Sequence, residues 1–307
     1  MPAERTYGMD HPHYEWSPLP ARPVLRWPDG AQLALGALVL LEHYEWAPPE
    51  GSYSLRRPSG GLIQLPFPDY VRLTHREYGH RVGIFRVLDT LAGHGVPATV
   101  AIDSMTVERY PWLAAHCAER GCELVGHGVA ASRLITSRMD EEEERATIAA
   151  GVEAVRSVTG APPAGWFSPE GVESPRTPQL VAEAGLRYLC DWPNDEQPYP
   201  MTVAQGELTN LPLFLEVDDE FALWHRRLTP QRWARLVVDV ARGLYEDGAT
   251  SGRLLVLTLR PWLVGQPFRI LALKEALGEI TSWPGVWPAS GREIVESYRA
   301  ATAARPG

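Results

Sequence analysis

Residues 34–41, ALGALVLL, form an unbroken apolar run that gives way in one step to Glu42, His43, Tyr44, Glu45 and Trp46. A short apolar run without alternation reads as a strand buried on both faces, the habit of parallel sheets covered by helices. In α/β proteins, ligands bind beyond the carboxyl ends of such strands. Two carboxylates and an imidazole in that place cost free energy unless they are paired or used. A polar loop capping the strand is the simpler account. The recurrence of chemistry-bearing residues at later strand ends favours a site.

From Arg81 the sequence alternates helix and strand. Val82, Phe85, Leu88 and Leu91 recur at helical spacing, and His94-Gly95 with Pro97 stops that helix. Residues 98–102 read as a strand, Pro111 opens a helix to Glu119, and 123–125 read as a strand entering Gly126-His127-Gly128. A helix is predicted over 140–159, with acids in its first turn, a core stripe of Ile148, Val152 and Val155, and a stop at Gly160. A short helix at 178–184 precedes a strand at 186–190 that ends on Asp191-Trp192. Thr229-Pro230 caps a helix burying Trp233, Leu236, Val237, Val240 and Leu244. Residues 254–259 are a further apolar strand, ending on Arg260-Pro261-Trp262, and helices at 268–279 and 290–302 finish the chain. Roughly seven strand–helix units without a break in composition predict one closed or nearly closed β/α barrel, with an open doubly wound sheet as the alternative. No glycine-rich phosphate fingerprint follows any strand, which disfavours dinucleotide binding.

Two segments stand outside this alternation. Residues 1–32 are rich in Pro, His and Trp and read as an arm on the barrel. Tyr14, Trp16 and Trp27 would be its anchors, or contacts to another subunit of a homo-oligomer; His11 and His13 read as incidental. Residues 47–76 read as a long Pro- and Gly-rich loop, expected to be a lid.

The net charge of −9 disfavours nucleic acid and anionic membrane surfaces, leaving a small molecule as the expected partner. No apolar run approaches the ~20 residues that span a bilayer. Three cysteines, Cys117, Cys122 and Cys190, lack metal-type spacing and suit a reducing compartment. With no apolar signal segment at the N-terminus, the reading is a cytoplasmic protein.

On one face of the expected barrel the strand ends carry Glu42 and His43, then His127, then Asp191 with Asp195, then Arg260. Glu77, Tyr78 and Arg81 lie just ahead of the first crossover helix; the alternative for Glu77 and Arg81 is a simple i,i+4 ion pair. A carboxylate and an imidazole can activate water while a nearby cation steadies an oxyanion, which is hydrolysis of an amide, imide or ester. Neither a G-x-S-x-G elbow nor a helical H-E-x-x-H motif is present.

Five fragments in order resemble the polysaccharide deacetylase superfamily, carbohydrate esterase family 4, and most closely its allantoinase-like branch. They are Glu42-His43, Glu77-Tyr78-Gly79-x-Arg81-x-Gly83, the segment from Glu123 to Gly128, Gly165-Trp166 with Ser174-Pro175-x-Thr177, and the run from Leu259 through Trp262 to Arg269. The resemblance spans about residues 33–292 and implies a distorted (β/α)7 barrel in a single domain after the arm. It also implies a hydrolase of a carbon–nitrogen bond other than a peptide bond, acting on a small polar substrate. Within it Glu42, His43, His127 and Glu77 are the candidate catalytic residues. Arg81, Trp166, Phe167, Asp191, Trp192 and Arg260 are the candidate substrate contacts. Metal-dependent members carry a second acid where this chain has His43, and a second histidine where it has Ala131. No cofactor is therefore favoured, and a divalent ion such as zinc on His43 and His127 is the alternative. The family's histidine acid corresponds to Arg260, and its motif arginine to Phe167. Other readings are a family member that binds a ligand without turnover, a related lyase or isomerase, and a metal-dependent deacetylase.

Overall fold

A computed structural model describes residues 10–50, 52 and 69–303. In chain order its elements are β1 (Leu33–Leu41), α1 (Tyr70–Tyr78), α2 (Ile84–Gly93), β2 (Ala98–Ile102), α3 (Ser104–Arg109) and α4 (Pro111–Glu119). There follow β3 (Glu123–Gly126), α5 (Glu141–Thr159), β4 (Gly165–Trp166), α6 (Thr177–Glu183), β5 (Tyr188–Leu189), β6 (Tyr199–Met201) and β7 (Leu208–Asn210). The chain ends with α7 (Pro230–Gly248), β8 (Arg253–Leu259), α8 (Pro261–Val264), α9 (Ile270–Ile280), β9 (Val286–Pro288) and α10 (Gly291–Ala303).

The strands make one curled sheet in the order β6-β7-β5-β4-β3-β2-β1-β8, with β9 on the first residues of β1. Pairing is parallel from β7 through to β8, and β6 runs antiparallel to β7. Among the described residues no ladder joins β8 to β6, so the barrel is curled but not closed.

Side-chain parity sets the layers, because alternate residues of a strand face opposite sides. Leu33, Leu35, Val39 and Leu41 of β1 pack outward against helix residues such as Ile84, Val237 and Leu273. Ala34, Leu38 and Leu40 pack inward with Val125, Phe167, Tyr188 and Val256. The same parity carried past the strand ends places Glu42, Asp103, His127 and Arg260 on the inner side. This is why the run of residues 34–41 shows no alternation: helices cover one face and the curled sheet covers the other.

The helix ends follow local chemistry. Asp140 accepts from the Glu143 N–H at 2.8 Å to start α5, and Gly160 ends it at φ 77. Thr229 caps α7 ahead of Pro230. Tyr70 to Gly93 is continuously helical, with a π-turn at Gly79–Gly83 joining α1 to α2. A Cβ on Gly83 would lie 2.0 Å from the Pro261 carbonyl oxygen, and one on Gly79 2.8 Å from the Trp262 nitrogen. Only glycine permits that approach.

Of the expected lid, residues 70–76 are the start of α1 instead: Asp69 accepts from the Arg72 N–H and fixes a helix start there. Residues 51 and 53–68 lie outside the described residues. Of the arm's expected anchors, Trp27 is buried and donates to the Arg253 carbonyl at 2.7 Å. Tyr14 packs edge-on against Trp192 and Tyr199, whereas Trp16 is 65% exposed. The hairpin of β6 and β7, the short helix α3 and strand β9 were not anticipated. No helix among the described residues is long and apolar enough to cross a membrane.

Candidate active site

Where β1 and β3 end, Glu42 and His127 meet. His127 is fully buried; Nε2 lies 3.1 Å from Glu42 Oε1, and Nδ1 lies 2.6 Å from the Phe167 carbonyl oxygen. Both neighbours are acceptors, so an imidazolium suits both bonds at once. Burial pulls the His127 pKa down, but the bond to Glu42 and its charge outweigh this and hold it above the ordinary value. For Glu42, burial acts upward, and His127, Arg260 and Tyr44 outweigh it to hold the carboxyl below the usual range. The pair is therefore a buried carboxylate and imidazolium. The Tyr44 hydroxyl donates to the other Glu42 oxygen at 3.2 Å, and the Phe167 ring stacks on His127 at 5.3 Å.

Arg260 sits on the far side of Glu42, at the end of β8. Its Nη1 donates to Asp218 at 2.8 Å and to Asp219 at 3.1 Å, and its Nε lies 2.7 Å from Glu220. Its backbone N–H also donates to Asp219. Its close partners are these three consecutive acids, with Glu42 acting at longer range. Glu220 also reaches Arg76 of α1, with Nη2 at 3.4 Å. The Arg76 guanidinium lies 3.4 Å over the Trp262 ring and 5.3 Å from Tyr44. Its Nε is buried without a partner among the described residues, as are the indole nitrogens of Trp224 and Trp262.

The last member is Glu170, in the turn Pro169–Gly171 that follows β4. Its backbone is left-handed, φ 57, a conformation that glutamate rarely adopts. Burial and the Glu42 charge push its carboxyl up to about 7, opposed by Arg260 and Arg76.

Residues 71–189 match the polysaccharide deacetylase family. A Schizosaccharomyces pombe protein provisionally named a polysaccharide deacetylase is 29% identical over 244 residues, 73% of this chain and 75% of its own length. The crystal structure of a Pseudomonas aeruginosa PAO1 protein, also provisionally named a polysaccharide deacetylase, matches with a TM-score of 0.80 at 24% identity, covering 91% of this chain and 95% of that one. The structure of PuuE allantoinase matches with a TM-score of 0.80 at 23% identity, covering 91% and 94%. Both likenesses show that the curled barrel is shared.

The donors present do not fit the metal centre that the resemblance implies. His43 stands where a second acid would, and Ala131 where a second histidine would. The space beside Ala131 is filled by Tyr44 and Leu73. Both His127 nitrogens are already bonded. Among the described residues, no group of three His, Cys, Asp or Glu side chains is arranged to hold an ion.

The remaining candidates fall around this centre at different distances. His43 is adjacent; its backbone N–H donates to Asp103 at 2.6 Å, and its ring lies 5.9 Å from Tyr110. Burial, then Arg109, lowers its pKa. His80 stacks on Tyr110 at 4.7 Å with both nitrogens unbonded among the described residues. Burial and His43 push it down to about 4, so it is neutral at pH 7. Glu77 accepts from the Trp46 indole at 3.0 Å. Arg81 is exposed and has no ion pair with Glu77 among the described residues. Trp166 is not a pocket wall: it is fully buried in the outer core, bonded to Ser168. Asp191 is held by the Ser168 backbone and hydroxyl, both at 2.8 Å, and does not reach Arg260. Trp192 donates to Glu173 and packs on the arm, and Asp195 pairs with Arg22 of the arm. Sequence reasoning therefore missed Arg76, Glu170 and the acids 218–220. It also missed Asp103, although the inward parity of β2 signals it.

Proposed function

We propose that this domain hydrolyses a carbon–nitrogen bond other than a peptide bond in a small polar amide or cyclic amide, without a metal. The observation that carries the reading is the buried Glu42–His127 pair at the carboxyl ends of β1 and β3, with Arg260 at the end of β8 and Arg76 brought in by α1. A carboxylate held ionised in a buried site can take a proton from water as the water oxygen adds to a carbonyl carbon. His127 keeps Glu42 ionised and aimed; its own protons are committed to Glu42 and Phe167. Arg76, whose Nε has no partner among the described residues, is the cation left to stabilise the oxyanion that forms, since Asp218, Asp219 and Glu220 engage Arg260. The likeness to an allantoinase makes cyclic ureides the first substrates to try. Cys117, Cys122 and Cys190 are free, which supports a reducing compartment for the chain.

The test is a panel of linear and cyclic amides, allantoin among them, with wild type and Glu42→Gln compared at equal folding. The variant should lose at least ~10²-fold in turnover, since glutamine cannot accept the proton. Turnover near wild type in Glu42→Gln would remove Glu42 from the base role. The loss of the metal donors and the engagement of Arg260 favour a second reading, a domain that binds such a molecule without turning it over. Saturable binding of a panel member with no product would establish that one.

A further inference from the structure

We propose that Glu170 is the proton donor to the leaving nitrogen in this site, an inference that rests on the hydrolase reading above. Bond cleavage leaves an amide nitrogen that needs a proton. Asp103 is also raised to about 7, but its two oxygens accept from the His43 and Thr106 backbone N–H groups, and the Tyr44 hydroxyl is engaged by Glu42. Arginine does not release its proton in proteins, so Arg76 and Arg260 are excluded. His127 spends Nδ1 on the Phe167 carbonyl and Nε2 on Glu42.

Glu170 is placed differently. The turn that carries it follows β4 directly, and its φ of 57 is a conformation that costs a glutamate free energy and persists only where the surroundings enforce it. Its carboxyl accepts no hydrogen bond from the described residues, so it is not held as a structural partner. The charges of Glu42 at the end of β1, Arg260 at the end of β8, Glu220 in the turn at 220–225 and Arg76 of α1 act on it, and its own charge acts on the Tyr44 hydroxyl. Burial and Glu42 raise it to about 7 while Glu42 itself is held low, the separation that assigns one carboxyl as acid and the other as base.

The protons balance. Water gives one proton to Glu42 as its oxygen bonds to the carbonyl carbon. Glu170 gives its proton to nitrogen as the C–N bond breaks, leaving an acid and an amine. Glu42 then holds the extra proton, and its return to Glu170 through solvent restores both groups.

Because the donor works only when protonated, turnover should fall as pH rises through about 7. In Glu170→Gln this alkaline limb should vanish. Turnover of allantoin should drop by ~10²- to 10⁴-fold, while 4-nitroacetanilide, whose leaving amine needs little protonation, should be spared. Glu170→Gly relieves the left-handed backbone, so it should fold at least as well as wild type and still lack the limb. Full activity in that variant overturns the proposal. An independent readout is the carbon-13 signal of glutamate carboxyls in the labelled full-length chain. The resonance missing from Glu170→Gln should titrate near 7, and lower when Glu42→Gln removes the facing charge. A midpoint near ~4.3, the ordinary glutamate value, overturns the proposal whatever substrate is used. If wild type turns over neither probe, the hydrolase reading fails; if it does and Glu170→Gln matches it at all pH values, the proton-donor proposal alone fails.

Discussion

Arg260 shows how a single side chain changes meaning with its partners. A cation buried at the end of an apolar strand needs compensation, and Asp218, Asp219 and Glu220 provide it on two edges of the guanidinium. Arg260→Ala would leave these carboxylates clustered without their counter-ion. We expect about 3–5 kcal/mol of lost stability by urea titration, as for other broken buried pairs. A loss under about 1 kcal/mol, with substrate binding impaired, would return Arg260 to the role of a free substrate clamp. The cluster was not legible because consecutive acids in a sequence usually mark a solvated face. Glu42 and His127 were legible because each follows a strand and keeps its inward parity. Asp103 obeys the same rule after β2 and could have been found by it. Glu170 could not, since its position depends on a left-handed turn whose sequence, Pro-Glu-Gly, is that of an ordinary loop.

The helix from Tyr70 to Gly93 is the element that brings Arg76 to the site. Its first half offered no apolar stripe: in α1 only Leu73 and Arg76 are buried. That absence explains why the sequence read these residues as lid. Its register is set by Gly79 and Gly83 against Pro261 and Trp262, and the π-turn lies at that contact. Gly83→Ala would drive a methyl carbon into the Pro261 carbonyl. We predict a cost of about 1–3 kcal/mol or more in thermal unfolding, with loss of turnover as Arg76 shifts off Trp262. Unchanged melting would mean that the helix can slide without consequence. By contrast, β1, β2 and β8 and the helices α4, α5 and α7 were readable to within a few residues, because each is long enough to show its run, stripe or caps. β5 falls inside the strand read at 186–190, whereas β4, with two residues, is too short to display any period.

The whole molecule keeps the curled parallel barrel of the polysaccharide deacetylases and changes what stands at its mouth. The barrel was legible from the count of strand–helix units. The antiparallel strand β6 and the open edge were not, because pairing direction between short strands has no local signature. At the mouth, Ala131 packs beside Tyr44 and Leu73, and the His127 nitrogens are bonded to Glu42 and the Phe167 carbonyl. The proposed metal-free hydrolysis rests on this buried ion pair and on the raised carboxyl of Glu170. The measurement that bears most directly on this account is turnover of the amide panel by protein dialysed exhaustively against a chelator, with metal content determined on the same sample. The account predicts undiminished turnover in metal-free protein; turnover abolished by the chelator and restored by zinc or another divalent ion would contradict it.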